Sequence, residues 1–226
     1  MGGALVESAD SFRSALGIHI SSDGKAASEG HPPPVLIRRF LSGDQIAALQ
    51  SYVRQLTPHG EDGDGWLMYS DDHEVKYLHH GGEMHDEVWR NLEEACPELH
   101  AHIIGHMRRV AHDMGLADAS EELRVRCIEH HTYTVGGELC DANHTDLGSR
   151  LTLSILLSEP GPATHGGRFT TTDAAGNVTM HELDRGDAVL LCSETVHNVT
   201  RVERGERRTM VWEMWTGRTN KVDRFR

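Results

Sequence analysis

Long apolar runs are missing from this sequence: nowhere do enough hydrophobic residues follow one another to span a bilayer. The start, M-G-G-A-L-V-E-S-A-D, has neither the basic opening nor the apolar core of a secretory signal, and Val6 stands where a myristoylation pattern needs Ser or Thr. Positive charge is short too. Against 35 Asp and Glu there are 22 Lys and Arg, a net charge of −13, which argues against a partner gripped through its phosphates. The local run Arg201, Arg204, Arg207 and Arg208 reads more simply as a solvated strand edge than as a nucleic-acid groove. Cysteine is sparse and unpatterned: Cys96, Cys127, Cys140 and Cys192 form no C-x-x-C pair and no zinc spacing. Scattered reduced thiols suit an intracellular protein, and the cytoplasm is the expected location. No internal repeat and no second domain are visible.

What is present divides into a helical first half and a strand-rich second half. Residues 1–34 mix Gly, Ser, Asp and Ala and end in H-P-P-P, which predicts a flexible N-terminal segment holding at most a short helix over Ser8 to Leu16. A single domain over 35–226 follows. Val35 to Leu41 reads as a short strand. Ser42 and Gln45 then make a capping box, after which Ile46, Leu49, Tyr52, Val53 and Leu56 recur at helical spacing. Gly60 to Gly65 is an acidic loop, followed by the apolar pieces Trp66 to Tyr69 and Val75 to Leu78. A helix is expected over Glu83 to Cys96. A second begins at Pro97, carries Leu99, Ile103, Met107, Val110 and Met114 on one stripe, and ends at Gly115. The helical support thus covers 42–115.

From Leu123 the pattern changes to short alternating strands: Leu123–Thr134, Leu151–Ser158, Gly167–Thr172, Val178–Leu183, Asp187–Cys192, Val196–Val202 and Arg207–Trp215. Turn residues separate several of them, at Gly161 to Ala163, Ala175 to Asn177 and Arg185 to Asp187. Seven strands at this spacing predict a jelly roll or closed barrel over 122–217, with the helices buttressing one face.

Two histidines and a carboxylate are the ligand set of mononuclear non-haem Fe(II) oxygenases, which leave the opposite metal face open. His144 and Asp146 stand two residues apart at an expected strand end, where alternate side chains point the same way. With 17 histidines in the chain, roughly one H-x-D arises by accident, so the triplet alone proves little. His85 and Glu87 form a decoy within an expected helix, where residues i and i+2 do not share a face. His102 with His106, His79 with His80, and His130 with His131 read as surface or partly buried histidines with no third ligand. His144 and Asp146 gain weight from His197, in a later strand, and from Arg207 across the turn Arg204-Gly205-Glu206. An arginine deep in a barrel needs an anion, and its planar fork suits a carboxylate.

The ordered set Tyr133/Gly136, His144/Asp146, Thr152, Gly166-Gly-Arg-Phe169, Gly186-Asp-Ala-Val-Leu-Leu191 and His197/Val199/Val202/Gly205/Arg207 resembles the Fe(II)- and 2-oxoglutarate-dependent dioxygenases, most closely their prolyl 4-hydroxylase-like branch. That pattern runs Y-x-x-G, H-x-D, a Thr-containing strand, G-G-x-[FL], G-D-A-x-x-F and H-x-V-x-x-V-x-x-G-x-R, and the match runs in order from Tyr133 to Arg207. Two departures stand out: aliphatic Ile155, Leu156 and Leu157 where relatives often carry an aromatic, and Leu191 in place of Phe.

The resemblance implies a mainly β fold, a double-stranded β-helix (jelly-roll) core with N-terminal helices. It implies iron held by His144, Asp146 and His197. The far carboxylate of 2-oxoglutarate would be taken by Arg207, with Tyr133 as hydroxyl partner and Thr209 assisting. Dioxygen is the co-substrate and ascorbate a candidate addition. Asp146, where related halogenases carry Gly or Ala, favours hydroxylation. The implied target is a peptidyl prolyl or lysyl residue. A small molecule or free amino acid is the first alternative, nucleic-acid demethylation the second, and a non-catalytic cupin-like metal-binding jelly roll the third. Gly60 to Gly65, Trp66, Tyr69 and the Lys76 to His80 segment are lid candidates. Arg150 and Arg168 are placed at the mouth, where they would meet an anionic substrate. Nothing in the sequence fixes the oligomeric state.

Overall fold

A computed structural model describes residues 31–56, 66–80, 90–118, 121–161 and 163–220. The expected flexible segment, the short helix within it, the Gly60 to Gly65 loop and the His85/Glu87 decoy lie outside these residues, apart from 31–34. Among the described residues no helix is long and apolar enough to cross a membrane.

Strand β1 (Val35–Ile37) leads to helix α1 (Gly43–Gln55). The capping box forms as the sequence requires: Gln45 N–H donates to Ser42 Oγ, and Ser42 N–H donates to Gln45 Oε1 at 2.9 Å. Strands β2 (Trp66–Ser70), β3 (His73–Tyr77), β4 (His79–His80) and β5 (Arg90–Asn91) follow, then helices α2 (Leu92–Ala95) and α3 (Pro97–Asp113). The helix expected over Glu83 to Cys96 is corrected at its described end. Arg90–Asn91 pairs with His79–His80 as a strand, and Asn91 caps α2 by accepting the Glu93 N–H, so the helix begins only at Leu92. Pro97 opens α3 and Gly115, at φ 68°, follows its end, both as expected.

The second half contributes β6 (Arg124–Tyr133), β7 (Leu151–Leu156), β8 (His165–Gly166), β9 (Phe169–Thr172), β10 (Val178–His181), β11 (Ala188–Cys192), β12 (Val196–Val199), β13 (Val202–Arg204) and β14 (Arg207–Trp215). The main sheet is antiparallel and has the order β1-β11-β7-β14-β6-β3-β2. A smaller sheet, β10-β9-β12, faces it, with β13-β8 as a third piece. This is the jelly roll the strand spacing predicts. The first half supplies more than helices, because β1 closes one edge of the main sheet and β3 and β2 extend the other.

Alternation separates the two faces of the main sheet. Outward, Leu151, Leu153, Ile155, Met210, Trp212 and Met214 pack with Ile46, Leu49 and Val53 of α1 and Ile103, Met107 and Val110 of α3 in the principal core. Inward, Tyr133, Leu156, Val189 and Leu191 meet Phe169, Val199 and Val202 from the smaller sheet and its neighbours. In the Lys76 to His80 segment Tyr77 and Leu78 are buried, Tyr77 with Val75 and Cys127 and Leu78 in the principal core.

The G-D-A turn ties the main sheet's edge. Gly186, at φ 89°, lies so close to Leu41 that a Cβ there would stand 2.4 Å from the Leu41 carbonyl oxygen. Beside it the buried Asp187 carboxylate accepts from Arg39 N–H at 2.7 Å, Asp184 N–H at 2.9 Å and Arg38 Nη1 at 2.6 Å. Asp187→Ala therefore removes a charged acceptor from three donors. We expect a loss of about 3 kcal/mol in urea unfolding, with a folded-state circular dichroism spectrum like that of the wild type at low temperature.

Candidate metal and co-substrate site

Inward-facing positions of the main sheet and the strand β12 of the smaller one line a cavity of about 400 Å³. His144 and Asp146 reach it from the loop between β6 and β7 rather than from a strand end, which corrects the expected placement. The loop is nonetheless held in extended pairing. Asp146 N–H donates to Ser193 O at 2.9 Å, and His197 N–H donates to His144 O at 3.2 Å. Those two bonds carry the alternation from β12 into the loop, so the two side chains share a face.

His144 Nε2 stands 3.6 Å from Asp146 Oδ1, and His197 Nε2 stands 3.5 Å from Asp146 Oδ2. One donor atom from each residue lies within 4.8 Å of the other two. Ligands in cis positions on one first-row ion, bound at about 2.1 Å, are separated by roughly 3 Å, so small rotations bring this set to bonding distance. Two supports aim the donors. His197 Nδ1 donates to Thr195 O at 3.0 Å, which leaves Nε2 as the lone-pair atom. Thr152 Oγ1 donates to Asp146 Oδ2 at 2.6 Å and also contacts Ser193 Oγ at 2.9 Å. The donor set fits a divalent ion with an open face.

Tyr133, Arg207 and Thr209 meet on paired strands, with Arg207 opposite Tyr133 in the register of β14 and β6. Tyr133 and Thr209 line the cavity of the triad. Arg207 lines the adjoining cavity, about 250 Å³, and Phe169 lines both. Arg207 is 2% exposed, which rules out a solvated strand edge for this member of the arginine run. Its Nε and Nη2 have no hydrogen-bond partner. Burial pushes its pKa down to about 10, with Tyr133 opposing, so it stays a cation at neutral pH. A buried guanidinium left unpaired costs several kcal/mol, and a carboxylate presented as a fork satisfies it.

The wall also contains groups that motif spacing passed over. His73 Nε2 stands 2.9 Å from His131 Nδ1, and His131 Nε2 stands 2.8 Å from Glu129 Oε2. Cys127 Sγ donates to the other oxygen of Glu129 at 3.0 Å, and Tyr133 Oη lies 3.4 Å from His131 Nδ1. Glu213, fully buried, accepts from Ser149 Oγ at 2.6 Å. Burial, aided by His131 and opposed by Glu129, holds His73 down at about 3, so its ring is neutral. The signal was present in R-V-R-C-I-E-H-H-T-Y, where Cys127, Glu129, His131 and Tyr133 occupy alternate positions. His130 and His131, expected to be surface or partly buried histidines, are both buried, on opposite faces of β6.

Other candidates fall away from the site. His106 is buried with its ring edge-on to Phe40, and its pKa is held near 4 by burial. Arg168 pairs with Glu182, and Arg150 lies 4.0 Å from Glu121; neither lines the cavity of the triad, while Arg168 lines the adjoining one. Among the described residues, no Lys or Arg lines the cavity of the triad.

No family model and no curated protein matches the chain. Solved structures share its fold. An oxidoreductase of the 2OG-Fe(II) oxygenase family from Burkholderia pseudomallei aligns with a TM-score of 0.61 at 15% identity, over 84% of this chain and 87% of that one. A prolyl hydroxylase from Trichoplax adhaerens, in complex with a hypoxia inducible factor peptide fragment, gives 0.58 at 13% identity, over 82% and 84%. The non-heme alpha ketoglutarate dependent epimerase SnoN from nogalamycin biosynthesis gives 0.55 at 14%, over 80% and 76%. At such identities the likeness is one of fold.

Thr152→Val removes the hydroxyl that holds Asp146 while keeping the side-chain shape. We expect Fe(II) affinity, read by competition with a chelating dye, to fall about tenfold or more. An unchanged affinity would strip Thr152 of that role.

Proposed function

We propose that the chain is an Fe(II)- and 2-oxoglutarate-dependent hydroxylase. The observation that carries this is the conjunction of a two-histidine, one-carboxylate set with a buried guanidinium lacking an anion in the adjoining space. Bound there, iron and 2-oxoglutarate together supply the activation of dioxygen, with succinate and carbon dioxide as by-products.

The chain's own residues do the rest. His144, Asp146 and His197 hold the metal from one side. Thr152 and the Thr195 carbonyl fix the rotamer and tautomer of two of the three. Arg207 would take the far carboxylate of the co-substrate, with Tyr133, its register partner, and Thr209, two residues on, lining the cavity of the triad. Phe169, Leu156 and Leu183 supply the apolar part of the lining around Arg207. Asp146, standing where related halogenases carry Gly or Ala, favours hydroxylation over halogenation.

The target is a peptidyl prolyl or lysyl residue, or a small molecule with a similar reacting group. The fold's solved examples include both a peptide-bound prolyl hydroxylase and an epimerase of a biosynthetic route.

Two variants test the assignment by succinate formation. Asp146→Ala is expected to abolish 2-oxoglutarate turnover, and full activity with added iron would refute the triad. Arg207→Ala is expected to raise the KM for 2-oxoglutarate by about two orders of magnitude, since it removes one partner of a buried charge pair. An unchanged KM would remove Arg207 from co-substrate binding.

A further inference from the structure

On the outer face of the same strands lies a second, smaller space of about 210 Å³, between the main sheet and the C-terminal half of α1. Its lining comes from β3 (Glu74, Lys76), β6 (His130, Thr132), β14 with its preceding turn (Arg208, Glu206) and α1 (Gln50, Val53, Arg54). These strand positions alternate with His73, His131, Tyr133 and Arg207, so the sheet itself separates this space from the catalytic cavity.

His130 is the feature that calls for a ligand. It is 3% exposed, and neither ring nitrogen has a hydrogen-bond partner. A neutral imidazole has one donor and one acceptor, and leaving either unmet in the interior costs about 1–3 kcal/mol. Around it stand three cations, Arg54, Lys76 and Arg208, against two carboxylates. Lys76 is 3.8 Å from Glu74, and Arg208 pairs with Glu206, which leaves the described lining residues with one positive charge in excess.

We propose that this space is a binding site for a compact oxyanion, a small carboxylate or a phosphate, that accepts a hydrogen bond from His130 and is held by Lys76 and Arg54. The electrostatics agree. Burial holds the His130 pKa down at about 3, with His131, Lys76 and Arg208 adding to it; the one opposing influence is its own backbone, so the ring sits in a positive field. The ligand is an effector or structural ion and not the substrate, because the sheet lies between it and the triad. His130 is nevertheless the chain neighbour of Glu129 and His131.

The test is a titration of the full chain, labelled with carbon-13 histidine, with inorganic phosphate and, separately, with acetate. The His130 resonance, identified through His130→Gln, reports the site in the wild-type protein. A saturable shift is expected with one of the two anions, and which one responds separates phosphate from carboxylate. Arg54→Met, at an exposed position, and Lys76→Met should each weaken binding about tenfold. Arg207→Met should leave the His130 shift intact, which separates this site from an anion in the barrel. No saturable shift with either anion up to about 50 mM, where even a millimolar site is filled, would mean that the space holds water only and would overturn the proposal. A shift equally strong in Arg54→Met and Lys76→Met would overturn it as well.

Discussion

Hydrogen bonding of β14 to β6 on one side and to β7 on the other is the constraint from which the rest of the molecule follows. Because side chains alternate, this single strand commits Met210, Trp212 and Met214 to the helices and Arg207, Thr209, Val211 and Glu213 to the barrel. A slip of one residue in its register would send every one of these to the wrong face. Pairing also lines up Arg207 with Tyr133, Thr209 with His131, and Glu213 with Cys127 and Thr152. The rows of the site are therefore consequences of backbone register, and the helices serve to hold that register by packing on the reverse side.

The inner face carries an unusual load of buried polar groups. Glu129, His131, His73, Glu213, Asp146 and Arg207 all lie in the interior. Desolvating a charge costs several kcal/mol unless hydrogen bonds and opposite charges replace water. Most of this array is satisfied within the protein: Glu129 by His131 and Cys127, Glu213 by Ser149, Asp146 by Thr152. Arg207 stands apart, since two of its nitrogens have no partner. On the proposed reading, a carboxylate bound beside Arg207 would meet this cation, and stability given up at that position would be recovered on binding.

The sequence revealed the parts governed by local rules. Ser42 with Gln45, Pro97 with Gly115, and the alternation of the last seven strands each express a short-range preference, and each matches an observed element. The triad was legible from its order along the chain, with Arg207 ten residues after His197, although β12 and β14, which carry these two, belong to different sheets and do not form the expected hairpin. Other features depend on which strands become neighbours. Nothing local shows that β3 lies beside β6, so the meeting of His73 with His131 could not be read from spacing. The loop carrying His144 and Asp146 looked like a strand end because its extended form comes from long-range bonds to Ser193 and His197. The burial of His130 between sheet and helix depends likewise on where α1 docks.

The central claim is that one iron and one 2-oxoglutarate share this cavity, and an anaerobic titration tests it most directly. Fe(II) is added to the full chain, then 2-oxoglutarate, while the visible spectrum is recorded. The account predicts a charge-transfer band that saturates at one equivalent of each and disappears when oxygen is admitted, with succinate formed. Binding of Fe(II) without any such band, or a band that persists unchanged in Asp146→Ala, would contradict it.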